Sequence, residues 1–437
     1  MRKIVKMSLA ASMLMGVSSV SVQAADILTN VKADGQIRAR YERANVNHNG
    51  TKTANAYTNR LAVGVGADIA GQDWISAYVQ MTNVSSINRK YGAEDNKYDM
   101  VNDARQTRLT QSYIDLKYNK TLLRVGRQAI NLDNLRFIGT VDWRQMPQTF
   151  DAIALVDNTI EGLNLTAAYI TQVNTINDGE VAARPDKYDG RVLALNASYQ
   201  VIPELNVTIY DYMIGAGTTS TDTGLKINPK DGIGHDTYGI ALHGSTKLSE
   251  DTSIRYRGEY ARQKDPSLKL HSSASKARDV KANYYNIELG VDVMGFLACG
   301  QYEVLGKGKN GGAGFSTPLA TLHAHNGWAD VFAMPVMFDE GLEDLNFSLG
   351  YKSKEFGLFK VTYHDYTTDK GGYDIGHEVD AVYTRAIPGV DNLSGMLKYA
   401  NFKKDGEAIR KGVAVGPLAS NSVQKVWAML DYKFATK

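Results

Sequence analysis

The chain has 437 residues, with 49 lysines and arginines against 47 aspartates and glutamates, so its net charge is only +2. This balance gives no indication of a nucleic-acid partner. The single cysteine, Cys299, excludes an internal disulfide framework. Beyond the N-terminus, no stretch approaches the ~18 consecutive apolar residues that a transmembrane helix needs. Nine prolines and 25 tyrosines suit long strands with aromatic residues at an interface.

The N-terminus has the order of features found in an export signal. Three basic residues precede a short apolar run over 7–17, and Val-Gln-Ala at 22–24 forms a small-x-small cleavage site. The sequence therefore predicts a secretory signal peptide over 1–24 and a mature domain over 25–437. An ordinary amphipathic N-terminal helix is the alternative.

The first stretch of the mature domain alternates strictly between polar and apolar residues. The polar positions are Lys32, Asp34, Gln36, Arg38, Arg40 and Glu42. Side chains of a strand point to opposite faces with a period of two, so one face is charged and the other apolar. In a soluble sandwich the apolar face would meet a second sheet, whereas in an outer-membrane barrel it meets lipid and the polar face lines water. The same pattern recurs at 61–69, 75–81, 254–260, 285–293 and 426–434.

Connector lengths provide a second signal for the fold. About nine long connectors alternate with eight short ones, as long extracellular loops and short periplasmic turns do in bacterial barrels. The sequence thus predicts an all-β protein, a transmembrane antiparallel up-and-down barrel of about 18 strands, with 16 as the alternative. Barrels of this size leave an aqueous channel.

The third long connector is charged and sharply bent. Between Arg124 and Asp151 the chain holds four arginines and three aspartates, punctuated by two glycines and a proline. Such connectors are where β proteins place their function. We expect the loop over 131–149 to fold inward and to narrow and charge the lumen.

Two motifs resemble a known family. The run G-R-Q-x-I-N-L-D-N-x-R-F-I-G-x-V-x-W-R-Q-x-P-x-T-F-D spans 126–151, and N-G-W-A-D at 326–330 is followed by G-L-x-D-L at 341–345. Both resemble segments of the Opr-type and alginate-export-type outer-membrane barrels. The resemblance implies a porin in the bacterial outer membrane that needs no cofactor and has a third loop inside the lumen. Because porins often form trimers, a homotrimer is an open alternative.

The candidate pore-lining and constriction residues come from strand parity and from the third loop. They are Arg38, Arg40, Arg60, Arg124, Arg127, Asp133, Arg136, Asp142, Arg144, Arg255 and Arg257. Parity also turns Arg191 inward, together with the acids Asp34, Glu42, Asp68, Asp115, Glu259, Glu288, Asp292 and Asp380. Arg127 breaks parity with Arg124, so either a bulge intervenes or Arg127 belongs to the loop. The arginines could select anions, or they could pair with the inward acids and stiffen the wall.

These features predict a porin that passes small hydrophilic solutes or ions by passive diffusion, with outer-membrane lipid as its surroundings. One alternative is the export or specific uptake of an anionic polysaccharide or organic acid through an arginine-lined barrel. Another is a closed structural barrel or adhesin.

Catalytic and metal chemistry have weaker support in the sequence. His235-Asp236 and His364-Asp365 could form rim dyads, but no G-x-S-x-G nucleophile motif is present, so we expect no enzyme. His323-x-His325 supplies only two metal ligands. The acids Asp330, Asp339, Glu340, Glu343 and Asp344 could hold Ca²⁺ weakly, although a solvated acidic loop is the simpler interpretation.

Overall fold

The computed structural model describes residues 27–47, 50–179, 185–215, 234–268, 279–309, 312–332, 339–413 and 419–436, so the predicted signal peptide lies outside the described residues. The described residues form 18 strands. In chain order they are β1 (Leu28–Val46), β2 (Ala54–Ile69), β3 (Gln72–Ser86), β4 (Gln106–Tyr118), β5 (Thr121–Gln128), β6 (Thr149–Asp157), β7 (Leu163–Asn174), β8 (Lys187–Ile202), β9 (Leu205–Ile214), β10 (His235–Lys247), β11 (Thr252–Lys264), β12 (Lys281–Val293), β13 (Phe296–Leu305), β14 (Leu342–Ser353), β15 (Gly357–Thr367), β16 (Asp374–Ala386), β17 (Leu393–Lys404) and β18 (Val423–Ala435).

Each strand pairs antiparallel with the next along the chain, and β1 also pairs with β18. Ile37 of β1, for example, lies opposite Leu61 of β2 and Tyr432 of β18. This last pairing closes the sheet and leaves no unpaired edge. The predicted up-and-down antiparallel barrel of 18 strands is therefore confirmed.

Helix is scarce in the described residues, where a 3₁₀ turn at Leu322–Ala324 and a short helix at Glu407–Arg410 connect strands. None of the helices in this part of the chain is long and apolar enough to cross a membrane.

The short connectors all lie at one end of the barrel and the long ones at the other, because every strand is antiparallel to its neighbours. The turn Ala70-Gly71 has only two residues, and both have positive φ, 53° and 71°. Two-residue hairpins favour this left-handed backbone because its twist matches that of the strands, and glycine adopts it without strain.

The two faces of the wall differ as the alternation predicts. Ile37 on the outer face is 49% exposed, whereas the adjacent Arg38 on the inner face is only 5% exposed. The outer face carries a belt of exposed large apolar side chains, among them Ile287, Phe347, Leu349 and Leu397. A belt of this kind is stable when lipid is the solvent around it.

Candidate functional site

The third long loop crosses the interior of the barrel. Near one end, Asp133 accepts a hydrogen bond of 3.1 Å from Nη1 of Arg257 on β11. Near the other end, Asp142 pairs with Nη1 of Arg60 on β2 at 2.5 Å. In a closed ring of 18 strands, β2 and β11 are half the ring apart and lie on opposite walls. The segment between Asp133 and Asp142 therefore spans the lumen, as expected for this loop.

Two buried arginines fasten the third loop to the wall. Arg136 is 1% exposed and forms a two-pronged pair with Glu303 of β13, with nitrogen–oxygen distances of 2.8 and 3.2 Å. Arg144 pairs with Glu42 of β1 at 2.9 Å. A planar guanidinium matches a carboxylate in this geometry, and burial raises the cost of losing either partner.

The seventh long loop packs on the third. Gly139 donates its backbone N–H to the carbonyl of Leu319 at 2.9 Å, and Thr321 donates to the carbonyl of Leu135 at 3.0 Å. Phe137 lies in a buried aromatic group with Tyr210, Tyr212, Tyr284 and Phe315. We call residues 129–148 and 312–332 together the loop plug. The contribution of the seventh loop to the lumen was not predicted from the sequence, although the N-G-W-A-D motif lies in it.

The seventh loop carries a buried histidine that bridges an acid and a base. His323 Nδ1 lies 2.6 Å from Asp330, and His323 Nε2 lies 2.8 Å from Nζ of Lys398 on β17. Burial lowers the pKa of His323 well below its ordinary value, and the positive charges of Lys398 and Arg144 lower it further. A neutral ring fits both contacts, because Nδ1–H donates to the carboxylate while Nε2 accepts from the ammonium.

Asp330 is the acid at the centre of this network. Besides His323, it accepts bonds from Arg144 at 2.9 Å and from Lys425 of β18 at 2.8 Å. Burial alone would raise the pKa of Asp330, but His323, Lys425 and Arg144 bring it well below its ordinary value. The ionised carboxylate thus ties both loops of the plug to the wall.

Backbone donors fasten the seventh loop to β16. Trp328 donates its N–H to Asp380 at 3.0 Å, and Ala329 donates to Glu378 at 2.7 Å. The preceding Gly327 has φ of +84°, and a Cβ at that position would overlap the Tyr366 hydroxyl and the Glu378 carboxylate. The N-G-W-A-D motif therefore needs glycine for both its backbone conformation and its close approach to the wall.

The structure places most of the predicted arginines on the inner face or in the plug, each with a carboxylate partner. The wall pairs not yet described are Arg38 with Asp431 (3.4 Å), Arg40 with Asp103 (3.2 Å), Arg124 with Asp115 (2.7 Å) and Arg255 with Glu288 (3.4 Å). Arg257 also pairs with Glu259 at 2.7 Å, in addition to Asp133. These pairs balance much of the positive charge that the sequence suggested for the lumen.

Two arginines lie on the outer face instead, which corrects the inward direction that parity gave Arg191 and the choice of Arg127 as a pore-lining candidate. Arg127 belongs to β5, not to the loop, and lies opposite Ser112, on the same face as the lipid-facing Ile114. Its partner is Asp151 at 2.6 Å. The pairing of β5 with β4 has no register shift there, so Arg127 faces away from Arg124 by ordinary alternation. Arg191 is exposed on the outer face of β8, because the inner face there carries the buried Val192 and Ala194.

The His364-Asp365 dyad and the metal ligands suggested by the sequence are differently arranged in space. His364 Nδ1 contacts Asp344 at 2.9 Å, so its partner is not the adjacent Asp365. Both ring nitrogens of His323 already have protein partners. Asp330 and Asp344 are buried, so the interpretation of a solvated acidic loop is wrong for these two. Among the described residues, no three His, Cys, Asp or Glu side chains are arranged to hold a metal ion.

Two inward lysines were missed in the sequence. Lys398 lies with its Nζ 3.6 Å from the ring centre of Trp328 and 4.2 Å from that of Trp143. Lys360 of β15 is half-buried, 5.6 Å from Trp328, and within the described ranges no carboxylate lies within 4.0 Å of its Nζ. Strand parity could have identified both, since the neighbours Phe359 and Leu397 face lipid.

Comparison with known proteins gives a family match and a fold match. The model of the alginate export family matches residues 30–162. No curated protein matched the sequence. Among solved structures, Acinetobacter baumannii OccAB2 aligns with a TM-score of 0.69 at 14% identity over 94% of this chain and 100% of its own. Pseudomonas aeruginosa OpdK, solved with vanillate, aligns with a TM-score of 0.65 at 10% identity over the same shares of the two chains.

The closed barrel, its apolar belt and the structural matches define a β-barrel with the fold of the outer-membrane porins. The family match over the first strands adds to this, so the chain is similar to the outer-membrane barrels of the Opr and alginate-export type. The resemblance found in the sequence is thereby confirmed. The short turns then lie on the periplasmic side and the long loops outside the cell.

Proposed function

We propose that the protein lets small hydrophilic solutes cross the outer membrane by passive diffusion, and that the loop plug is the constriction on their path. The observation that carries this proposal is the passage of the third loop from Arg257 on β11 to Arg60 on β2 inside a closed barrel with a polar inner wall. Diffusion needs only a water-filled route, and the electric field at its narrowest point sets the charge selectivity.

The charges of the constriction support weak selectivity. Arginines alone would attract anions strongly, but those of the wall and the plug have carboxylate partners. Lys360 and Lys398 are inward lysines without a carboxylate within 4.0 Å among the described residues, but Lys398 is buried against His323, so Lys360 is the more accessible of the two. We therefore expect a modest preference for anions, set mainly by Lys360.

A second candidate function is the selective uptake of small organic anions. The half-buried ring of Trp328 lies beside the ammonium groups of Lys360 and Lys398. A planar carboxylate could stack on this ring and pair with Lys360. Vanillate, found with the similarly folded OpdK, is a compound of that chemistry. Export of a long anionic polymer fits less well, because the plug crosses the lumen.

The same proposal covers processing, assembly and chemistry. We expect cleavage after residue 24, no catalysis and no cofactor. N-terminal sequencing of the protein from outer membranes would test the cleavage site. A homotrimer is the assembly that porins often adopt, and the molecular mass of the detergent-solubilised barrel would test it.

The proposed function is tested by single-channel recording in planar bilayers, with the reversal potential measured under a salt gradient. We expect small, stable openings and a reversal potential slightly on the anion side. Absence of any conductance in correctly folded protein would contradict diffusion and favour a closed structural barrel. If Arg136→Ala and Arg144→Ala both leave conductance and reversal potential unchanged, the third loop is not the constriction.

A further inference from the structure

A concavity on the lipid-facing surface has no part in the proposed transport function. It has a volume of about 610 Å³ and crosses the outer faces of β16, β17, β18, β1 and β2. This volume falls within the range of ~300–1,000 Å³ that is usual for ligand sites. We call it the outer groove.

Small residues form the floor of the outer groove and large ones form its sides. Ala39, Ala428 and Gly395 leave the floor low, and Leu397 and Leu430 rise beside them. A Cβ at Gly395 would lie 3.2 Å from Cδ1 of Ile387, so glycine keeps the periplasmic part of the groove open. The surface is almost wholly apolar, which suits a hydrocarbon chain.

A single outward charge lies at the periplasmic end of this groove. Arg385 is the penultimate residue of β16 and precedes the short turn 387–392. It shares the outer face with Tyr383, because the two are separated by two positions in the strand. Across the described part of the chain, the side chain of Arg385 has no hydrogen bond and no ion pair, and no acid lines the groove.

We propose that the outer groove binds one phospholipid of the periplasmic leaflet, with an acyl chain along the groove and the headgroup phosphate on Arg385. An arginine at the edge of the apolar belt can extend to the interface, where phosphate offers the bidentate partner that the protein does not supply. A second copy of the chain is the less suitable occupant. Its own groove would present another Arg385 and no carboxylate to neutralise either charge.

The test is native mass spectrometry of the full-length barrel in mild detergent, titrated with dioleoyl phosphatidylglycerol. We expect one phospholipid retained per barrel at the lowest lipid concentrations. Dioleoylglycerol, which has the same chains without phosphate, should bind about tenfold more weakly, since charge-assisted hydrogen bonds are the strong ones.

Two variants address the two halves of the site. Arg385→Gln should weaken phosphatidylglycerol binding about tenfold, to the level of dioleoylglycerol. Ala39→Phe fills the floor and should abolish retention. Lys354→Gln, which removes an exposed charge in the turn between β14 and β15, and Ala298→Phe, which enlarges a lipid-facing alanine on β13, should bind like the unmodified protein. Heat-modifiable migration on gels verifies that each barrel is folded.

Three outcomes would overturn the proposal. One is lipid binding that is the same in Arg385→Gln, Ala39→Phe and their controls. Another is that Ala39→Phe retains phospholipid as tightly as the unmodified barrel does. The third is an oligomer that Ala39→Phe dissociates, since the groove would then be covered by another copy. None of these outcomes depends on conductance, so the lipid site and the proposed transport function are tested independently.

Discussion

The buried pair between Arg136 and Glu303 gives the sharpest test of the loop plug. Arg136→Met keeps the length of the side chain but removes the guanidinium. Glu303 then loses its two bonds to Arg136 and keeps those from Tyr284 and Asn326. Removing one partner of a buried pair costs about 3–5 kcal/mol, because an uncompensated charge stays buried. That corresponds to a factor of at least ~100 in the equilibrium between docked and undocked plug.

The expected result is a larger single-channel conductance with frequent transitions, because the third loop would no longer be held against β13. Adding Glu303→Gln removes the unpaired charge and should restore most of the original behaviour. Heat-modifiable migration should be normal in both variants, since the wall itself is intact. Conductance and noise identical to the unmodified protein in folded Arg136→Met would refute the view that this pair holds the constriction.

Three other predictions follow from the plug and the wall. Lys360→Gln should shift the reversal potential towards cations, because it removes an accessible inward charge that no carboxylate offsets. Arg127→Gln on the outer face should leave the reversal potential unchanged, and equal shifts in the two variants would contradict the assignment of faces. Gly327→Ala should undock the seventh loop and raise conductance, since it combines positive φ with overlap against Tyr366, and Gly372→Ala, which has positive φ but no neighbour within 4 Å, should have no such effect. Lowering the pH from 6.5 to 5 should weaken docking by about 1.6 kcal/mol, because His323 in the undocked loop takes up a proton with a pKa of ~6.5, whereas the buried His323 of the docked loop stays neutral. Tryptophan fluorescence of Trp143, which stacks on His323 at 4.4 Å, would report this loss, and His323→Gln should show the loss abolished.

The sequence by itself determined the wall of this barrel. A period of two, bounded by turn residues, is a local property, and lipid outside with water inside imposes the same pattern on every strand. The alternation of Ile37 with Arg38, the glycine turn at Gly71 and the lengths of the connectors therefore sufficed to predict 18 antiparallel strands. The inward direction of Arg38, Arg60 and Arg257 followed from the same rule.

Parity failed for Arg191, where the pairing of β8 with β7 has a register shift between Ile170 and Gln172. Counting along the sequence does not reveal such a shift, since it is set by the pairing of two strands. Arg127 instead follows regular alternation and faces away from Arg124, and the sequence left open only whether it belongs to the strand or to the loop.

Only the tertiary structure decided how the lumen is filled. Glu303 follows Arg136 by 167 positions in the chain, and Asp330 follows Arg144 by 186, so their pairing depends on loops that meet after the barrel closes. Any of the inward acids could have neutralised any of the inward arginines by sequence alone. Three-dimensional distance and the cost of burying a charge without a partner select the pairs. Neither quantity can be calculated from the local pattern of residues.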